Sequence, residues 1–451
     1  MYLQIQGNFI MVRTGFASQI ITPERDFPLA GYFNKRPNRG FLDDLFVKVL
    51  LVEKEGIMGG FVVYDLCGSS PEFFDALRSA AKAAGITFAD NLMVSCTHTH
   101  TGPEIRRNID EQKQEYIDRV IVKTVAALKE AAANLRESSF EVASVNSNPY
   151  AYVRRFWMKN GKVVTNPGKC NPDIVEPDGD YDRTITAVAV KQEGRIAAIL
   201  VNLANHGDTI GGDLVSADWF GRMEREIQYQ LGEDVPVMTL TDCSGDINHF
   251  DVSTMRNQTN YAEALRIGRG YGQIVCELLK NLEKVEDSEV SYKKTVFKMA
   301  YRTVTAQQLA DARKVLETIP AGSLDDRGDM TSEDLAKGDG IVLRMFAERL
   351  LGCEGNEGKF QECELLALCF SKDLAFITLP GEPFNGVAQG IRKDSPFKRT
   401  LIATLAQGKC GYIPMPESFE RGGYETEPFA TSPEVDTAPK LIAAALETLN
   451  K

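Results

Sequence analysis

The segment Cys96–Glu104, CTHTHTGPE, sets His98 and His100 one residue apart in a chain of 451 residues that has only four histidines. It follows NLMVSC (91–96), an apolar run that reads as a short buried strand, and Gly102-Pro103 closes it. Side chains two apart in extended backbone point the same way. Both imidazoles therefore face one side at the end of a sheet, which suits a metal ion. A pair at this spacing in a loop serves equally well to hydrogen-bond nearby backbone. The other two histidines occupy similar places: His206 follows a strand-like run in LANHGDTIGG (203–212), and His249 comes shortly after another in TDCSGDINHFD (241–251).

Outward from this segment, strand-like and helix-like runs alternate along the chain. LFVKVLLVE (45–53) and GFVVYDL (60–66) read as buried strands, rich in Val and Leu. PEFFDALRSAAKAAG (71–85) opens on Pro and closes on Gly, as a helix does. EYIDRVIVKTVAALKEAAANL (115–135) has the amphipathic pattern of a long helix. TITAVAVKQEGRIAAILVNLANH (184–206) predicts two strands turning at Glu193-Gly194. ECELLALCF and LAFITLP predict a second hairpin after a polar, Gly-rich helical stretch (304–358). No internal repeat, low-complexity segment or linker is visible. The expectation is an α/β fold of mixed β-sheets flanked by helices, one large domain over 12–451. An N-terminal extension, 1–11, precedes it, with Met11 a second possible start.

Hydrophobic residues at 43% and charged residues at 25% are the composition of a soluble globular protein. Acidic residues outnumber basic ones by 63 to 51, for a net charge of −12, and no Lys/Arg cluster opposes that field. Nucleic acid and anionic membranes are therefore not expected partners. No apolar stretch approaches the length of a membrane span, and the N-terminus lacks the basic and apolar regions of a signal peptide. Nine cysteines without CxxC spacing read as reduced thiols of a cytoplasmic protein.

A zinc site that keeps one position open for water needs about three protein ligands, commonly His with a carboxylate. Glu382, in ITLPGEPF (377–384), stands on a Pro-Gly corner after an apolar strand. The alternative for it is an acid placed at a helix N-terminus. Asp65 in FVVYDL and Asp246 in SGDIN are similar strand-end acids, each a ligand, a partner orienting a histidine, or a turn residue.

Taken together, SCTHTHTGPE resembles the His-Thr-His-Ser-Gly-Pro signature of the neutral (alkaline, non-lysosomal) ceramidases. ASQIITPERDFPLAGY, VNLANHGDTIGGDLVSAD, TDCSGDIN, LPGEPF and GYIPMPESFERGGYE fall in that family's order, from about residue 12 to about residue 430. The resemblance implies Zn²⁺ held by His98, His206, Glu382 and Tyr412, the last in CGYIP. It implies that His100 and Tyr424, in GGYE, handle the substrate carbonyl, with an arginine of YVRRF beside them; Arg155 is taken ahead of Arg154. Imidazole and carboxylate suit Zn²⁺, which brings the pKa of bound water down to roughly 7. Tyr412 is a less usual ligand, its phenol acidified by a nearby cation. The implied function is zinc-dependent hydrolysis of an amide (N-acyl) or related acyl bond in a small-molecule or lipid-like substrate.

Two departures accompany this. Members of the family carry a further C-terminal immunoglobulin-like domain, whereas here one helix follows the last motif, and His249 stands where the family often has Pro. Two other readings stay open: a dinuclear metal hydrolase drawing on Asp65, Asp246 and His249, and a non-catalytic binding protein on the same fold.

Overall fold

Two hairpins, the expected one at Glu193-Gly194 and one joining the strands read at 45–53 and 60–66, turn on a Glu-Gly pair in which both residues have positive φ: 49° and 78° at Glu193-Gly194, 54° and 83° at Glu55-Gly56. That backbone matches the right-handed twist of paired strands. In the computed structural model, which describes residues 11–32, 34–320, 340–408, 411–428 and 430–451, these hairpins are the starting pieces of two large sheets. The expected N-terminal extension lies, apart from Met11, outside the described residues.

Each of three sheets is assembled in the same way. In the first, β1 (Arg13–Ile20), β2 (Phe46–Lys54) and β3 (Ile57–Tyr64) run antiparallel; α1 (Pro71–Ala83) crosses, and β4 (Leu92–Cys96) returns parallel to β3. After α2 (Glu111–Ala133), the antiparallel run is repeated by β5 (Ser139–Asn146), β6 (Thr184–Gln192) and β7 (Arg195–Leu203). There α3 (Asp218–Leu231) crosses to β8 (Val237–Thr241), parallel to β7. After α4 (Tyr261–Leu278) comes β9 (Val290–Ala300). An insert bearing α5 (Ala306–Thr318) and α6 (Gly340–Leu351) separates it from β10 (Phe360–Phe370) and β11 (Leu374–Thr378). Then α7 (Asn385–Asp394) crosses to β12 (Arg399–Ala403), parallel to β11, and α8 (Thr437–Asn450) follows. The repeat is one of architecture, without the sequence repeat that would have announced it.

Two expectations change. The second hairpin is the inner part of a meander, because β9 pairs with β10 from Val290↔Phe370 to Ala300↔Phe360. Its sequence, VSYKKTVFKMA, is half exposed and Lys-rich, so it lacks the apolar run that marks the buried strands. Helix α2 begins at Glu111, earlier than periodicity alone predicts, since the Asp110 side chain accepts from Lys113 N at 2.9 Å and caps it.

Alternate residues of the strands serve two cores. Leu50 and Phe61 of the first sheet, Val188 and Leu200 of the second, and Leu366 and Phe376 of the third pack in one central cluster. Phe61 and Phe376 meet there edge to face at 4.9 Å. The opposite faces pack under helices: Val49 and Leu51 on α1 and α2, Ile199 and Val201 on α3 and α4, Ala375 and Ile377 on α7 and α8. Burial on both faces is why these strands read as continuous apolar runs. The three parallel strands are tied together at their C-terminal ends. The Thr241 hydroxyl donates to Thr97 O at 3.0 Å, and Thr404 N donates to Thr241 O at 2.9 Å. No helix among the described residues is long and apolar enough to cross a membrane.

Because Phe376 is fully buried in the shared cluster and joins the third sheet to Phe61 of the first, Phe376→Ala is expected to cost about 3–5 kcal/mol. Denaturant unfolding should show that loss as one cooperative shift of the midpoint, and separate transitions would contradict a shared core.

Candidate metal centre

Three loops leave the sheets at this tied end. His98 follows β4 with φ 79°, a left-handed conformation that a residue with a side chain adopts only when its surroundings enforce it. Its backbone N–H donates to Leu66 O at 2.9 Å, and the turn aims the ring inward. His206 follows β7. Its own backbone oxygen accepts from the indole of Trp219 at 2.8 Å, and its backbone N–H is held by Asn205 Oδ1 at 2.8 Å. Glu382 follows β11 and pairs in parallel with Tyr412 through Glu382 N to Gly411 O at 2.8 Å.

Two glycines let these loops touch. A Cβ at Gly207 would come within 2.6 Å of His98 O, and one at Gly245 within 2.3 Å of Glu382 O. The adjoining Thr99↔Gly207 bridge and the bond from His100 N to Gly207 O (2.8 Å) bring the first two loops into register.

The side chains converge. His98 Nε2 lies 3.1 Å from His206 Nε2, 3.2 Å from His100 Nε2 and 3.2 Å from Glu382 Oε2, which is 3.5 Å from His206 Nε2. The other nitrogen of each of the first two rings faces backbone carbonyls: His98 Nδ1 meets Cys67 O at 2.6 Å, and His206 Nδ1 meets Ile247 O at 3.0 Å and Ser244 O at 3.2 Å. A carbonyl only accepts, so both Nδ1 atoms carry a proton, and in the neutral rings both Nε2 atoms present lone pairs to each other. Glu382 Oε2 is buried there without a hydrogen-bond partner among the described residues.

Two lone pairs and a carboxylate oxygen around one point fit a cation, and these are the donor types zinc prefers. His98, His206 and Glu382 form one of two groups among the described residues with metal-ligand spacing. The other, Cys67–His98–His100, shares His98.

The electrostatics follow from the same arrangement. Burial opposes charge on Glu382, but His98 and Arg154 outweigh it and hold the carboxyl at about 2. Burial likewise opposes charge on His98, whose pKa Glu382 nonetheless raises. In His206 and His100 burial depresses the pKa, reinforced by Arg154 and His98 respectively. Burial raises the Tyr412 hydroxyl well above a free phenol, against the pull of Arg154, and takes Tyr424 to about 12.

The structure sorts the remaining candidates. Tyr412 and Tyr424 line the same cleft, with ring centroids 5.8 Å apart. Of the two arginines, Arg154 reaches the centre: its guanidinium lies 5.1 Å over the Tyr412 ring, with Nη1 3.5 Å from His206 Nε2 and Nη2 donating to Gly245 O at 2.6 Å. Arg155 is buried against Glu425 (3.0 Å), which Arg154 Nε also meets at 2.8 Å, and against Asp178 (3.0 Å) and Gly422 O (2.7 Å). Of the YVRRF pair it is therefore Arg154, not the expected Arg155, that lies beside the cluster.

Asp65 accepts from Phe46 N at 3.0 Å, Asp246 accepts from Asn385 N at 2.8 Å at the start of α7, and His249 donates to Gln258 O at 2.8 Å. None of the three enters a metal-ligand group among the described residues. Sequence reasoning missed Asp208, whose Oδ1 stands 3.5 Å from His100 Nδ1 and accepts from Tyr32 at 2.6 Å. The only signal for it was its place two residues after His206.

The cleft has a volume of about 930 Å³. Val315 of α5 and Leu343, Phe346 and Leu350 of α6 give it an apolar wall, while His98, His100, Glu382 and Tyr424 are among its polar lining.

No family model matches the chain, and no curated protein matches it in sequence. Solved structures do match in fold. The crystal structure of neutral ceramidase from Pseudomonas aeruginosa aligns over 98% of this chain and 75% of its own, with a TM-score of 0.73 and 15% identity. A ceramidase complexed with C2 aligns over the same shares, with a TM-score of 0.71 and 14% identity.

The two arginines should separate cleanly. Arg155→Ala removes one of two cations from Glu425, which keeps Arg154, and from Asp178, which keeps Arg421, and should cost about 1–3 kcal/mol of stability. Arg154→Ala removes the cation over Tyr412 and beside His206, so its main loss should be in turnover. Melting temperature and kcat measured on both variants check this, and the reverse pattern would contradict the assignment.

Proposed function

We propose that residues 12–451, built on the neutral-ceramidase fold, form a zinc-dependent amide hydrolase that splits an N-acyl bond into a carboxylic acid and an amine. The observation that carries this reading is the convergence of His98 Nε2, His206 Nε2 and Glu382 Oε2 on one point. His98, His206 and Glu382 hold the metal, and Tyr412, paired to Glu382 along the backbone, is the fourth ligand. Zinc bound there supplies a Lewis acid and lowers the pKa of water to roughly 7.

The chain's own groups do the rest. His100, neutral in its buried setting, takes a proton from the attacking water as oxygen bonds to the amide carbon. It returns that proton to nitrogen as the C–N bond breaks. Tyr424, whose hydroxyl keeps its proton at neutral pH, donates a hydrogen bond to the oxygen that gains charge. Arg154 fixes Tyr412 and balances Glu425, with which it pairs at 2.8 Å. The apolar wall of α5 and α6 receives the hydrocarbon of a lipid-like acyl substrate while the amide meets the polar side.

Zinc-reconstituted protein is expected to release fatty acid from ceramides or simpler N-acyl amines, and chelation should abolish turnover until zinc is restored. Tyr424→Phe should lower kcat about 10²–10³-fold. Full turnover in chelator, or no cleavage of any N-acyl amide by zinc-loaded protein, would overturn this reading.

A further inference from the structure

His100 is the one histidine of the cluster whose Nδ1 has no backbone carbonyl to bind. That atom is buried, and no residue among those described gives it a well-aligned hydrogen bond. The group facing it is Asp208, with Oδ1 3.5 Å away. Histidine–carboxylate contacts are often this long before substrate arrives and tighten in the working complex.

The surroundings leave little freedom to either partner. Tyr32 donates to the same Asp208 oxygen at 2.6 Å. Arg36 stacks over the Tyr32 ring with Cζ 3.8 Å from its centroid, and donates to His100 O at 2.7 Å. Gly31, at φ 97°, lies under the imidazole so closely that a Cβ there would fall 2.6 Å from it. The ring is thus held between Gly31 and the cluster, with Nδ1 toward the carboxylate and Nε2 3.2 Å from His98 Nε2.

From this geometry we propose that Asp208, itself held by Tyr32, is the positioning residue of the site: it keeps His100 as the Nδ1–H tautomer, so that Nε2 faces the reacting water as a proton acceptor. An Nε2–H tautomer would set the Nδ1 lone pair against a carboxylate oxygen, which is repulsive. A carboxylate behind a histidine serves this purpose in many sites where the tautomer decides function. The assignment rests on the hydrolase reading for its consequence in turnover, but the tautomer itself is a property of the resting protein.

Nitrogen-15 NMR of histidine-labelled, zinc-loaded protein reads the tautomer directly, and four histidines give only four ring systems to assign. Wild type should show His100 with Nδ1 protonated and Nε2 bare. Asp208→Ala should move that ring toward Nε2–H, while Asp208→Asn, which keeps an acceptor oxygen, should largely preserve it. Tyr32→Phe should fall between wild type and Asp208→Ala, and it serves with Asp208→Asn should the alanine variant not fold. With bound zinc unchanged, kcat in Asp208→Ala should drop about 10–100-fold with little change in KM. An Nε2–H ring in wild type, or an unmoved tautomer in Asp208→Ala, overturns the proposal even where hydrolysis is intact. If no amide is cleaved, the hydrolase reading fails while the NMR result still decides the role of Asp208.

Discussion

The lone pairs of His98 and His206 face each other at 3.1 Å across a buried carboxylate. With each Nδ1 proton committed to a backbone carbonyl, neither ring can donate to the other. One extra proton relieves a single contact and leaves the others facing acceptors. A divalent cation relieves all of them at once, and burial makes the unrelieved arrangement costly. The left-handed turn at His98, the two glycines without room for a side chain and the Glu382–Tyr412 pairing all serve to bring these acceptors together.

The fold makes that convergence natural. Each sheet ends in a strand parallel to its neighbour, and the three such strands are tied at their C-terminal ends through Thr97, Thr241 and Thr404. Loops leaving one end of three sheets around a common core must meet, as ligand sites do at strand ends in α/β folds generally. The cluster is therefore anchored to strand termini of a packed core, which is the rigidity a site of this kind needs. The wall across from it comes from α5 and α6, which lie between β9 and β10 and outside the strand ends that carry the cluster.

Much of this was legible in the sequence because it follows from local patterns. Double-sided burial gave β2, β3, β6 and β7 their apolar runs, a Glu-Gly pair marked the turn at 193–194, and strand-end position marked all four histidines, of which the family resemblance chose His98 and His206 as ligands. Glu382 was a candidate from its strand-end corner that needed the family resemblance to outrank a helix-terminus acid, and Tyr412 came through that resemblance alone. What failed to show was whatever depends on facing. Arg154 and Arg155 are adjacent, and which one lies beside His206 depends on pairings with distant segments, Tyr152-Val153 with Ile247-Asn248 and Arg155 with Thr165. Strand β9, half exposed and Lys-rich, gave no apolar signal, and Asp208 matters only because a distant tyrosine and His100 surround it. The threefold architecture was hidden for a similar reason: different apolar residues fill equivalent places in the core equally well.

The most direct measurement is an anomalous difference map from a crystal of the zinc-loaded protein, collected on both sides of the zinc absorption edge. The account predicts a single peak bounded by His98 Nε2, His206 Nε2 and Glu382, with Tyr412 beside it. A map with no peak there would contradict it, as would a pair of peaks about 3.5–4 Å apart drawing on other carboxylates.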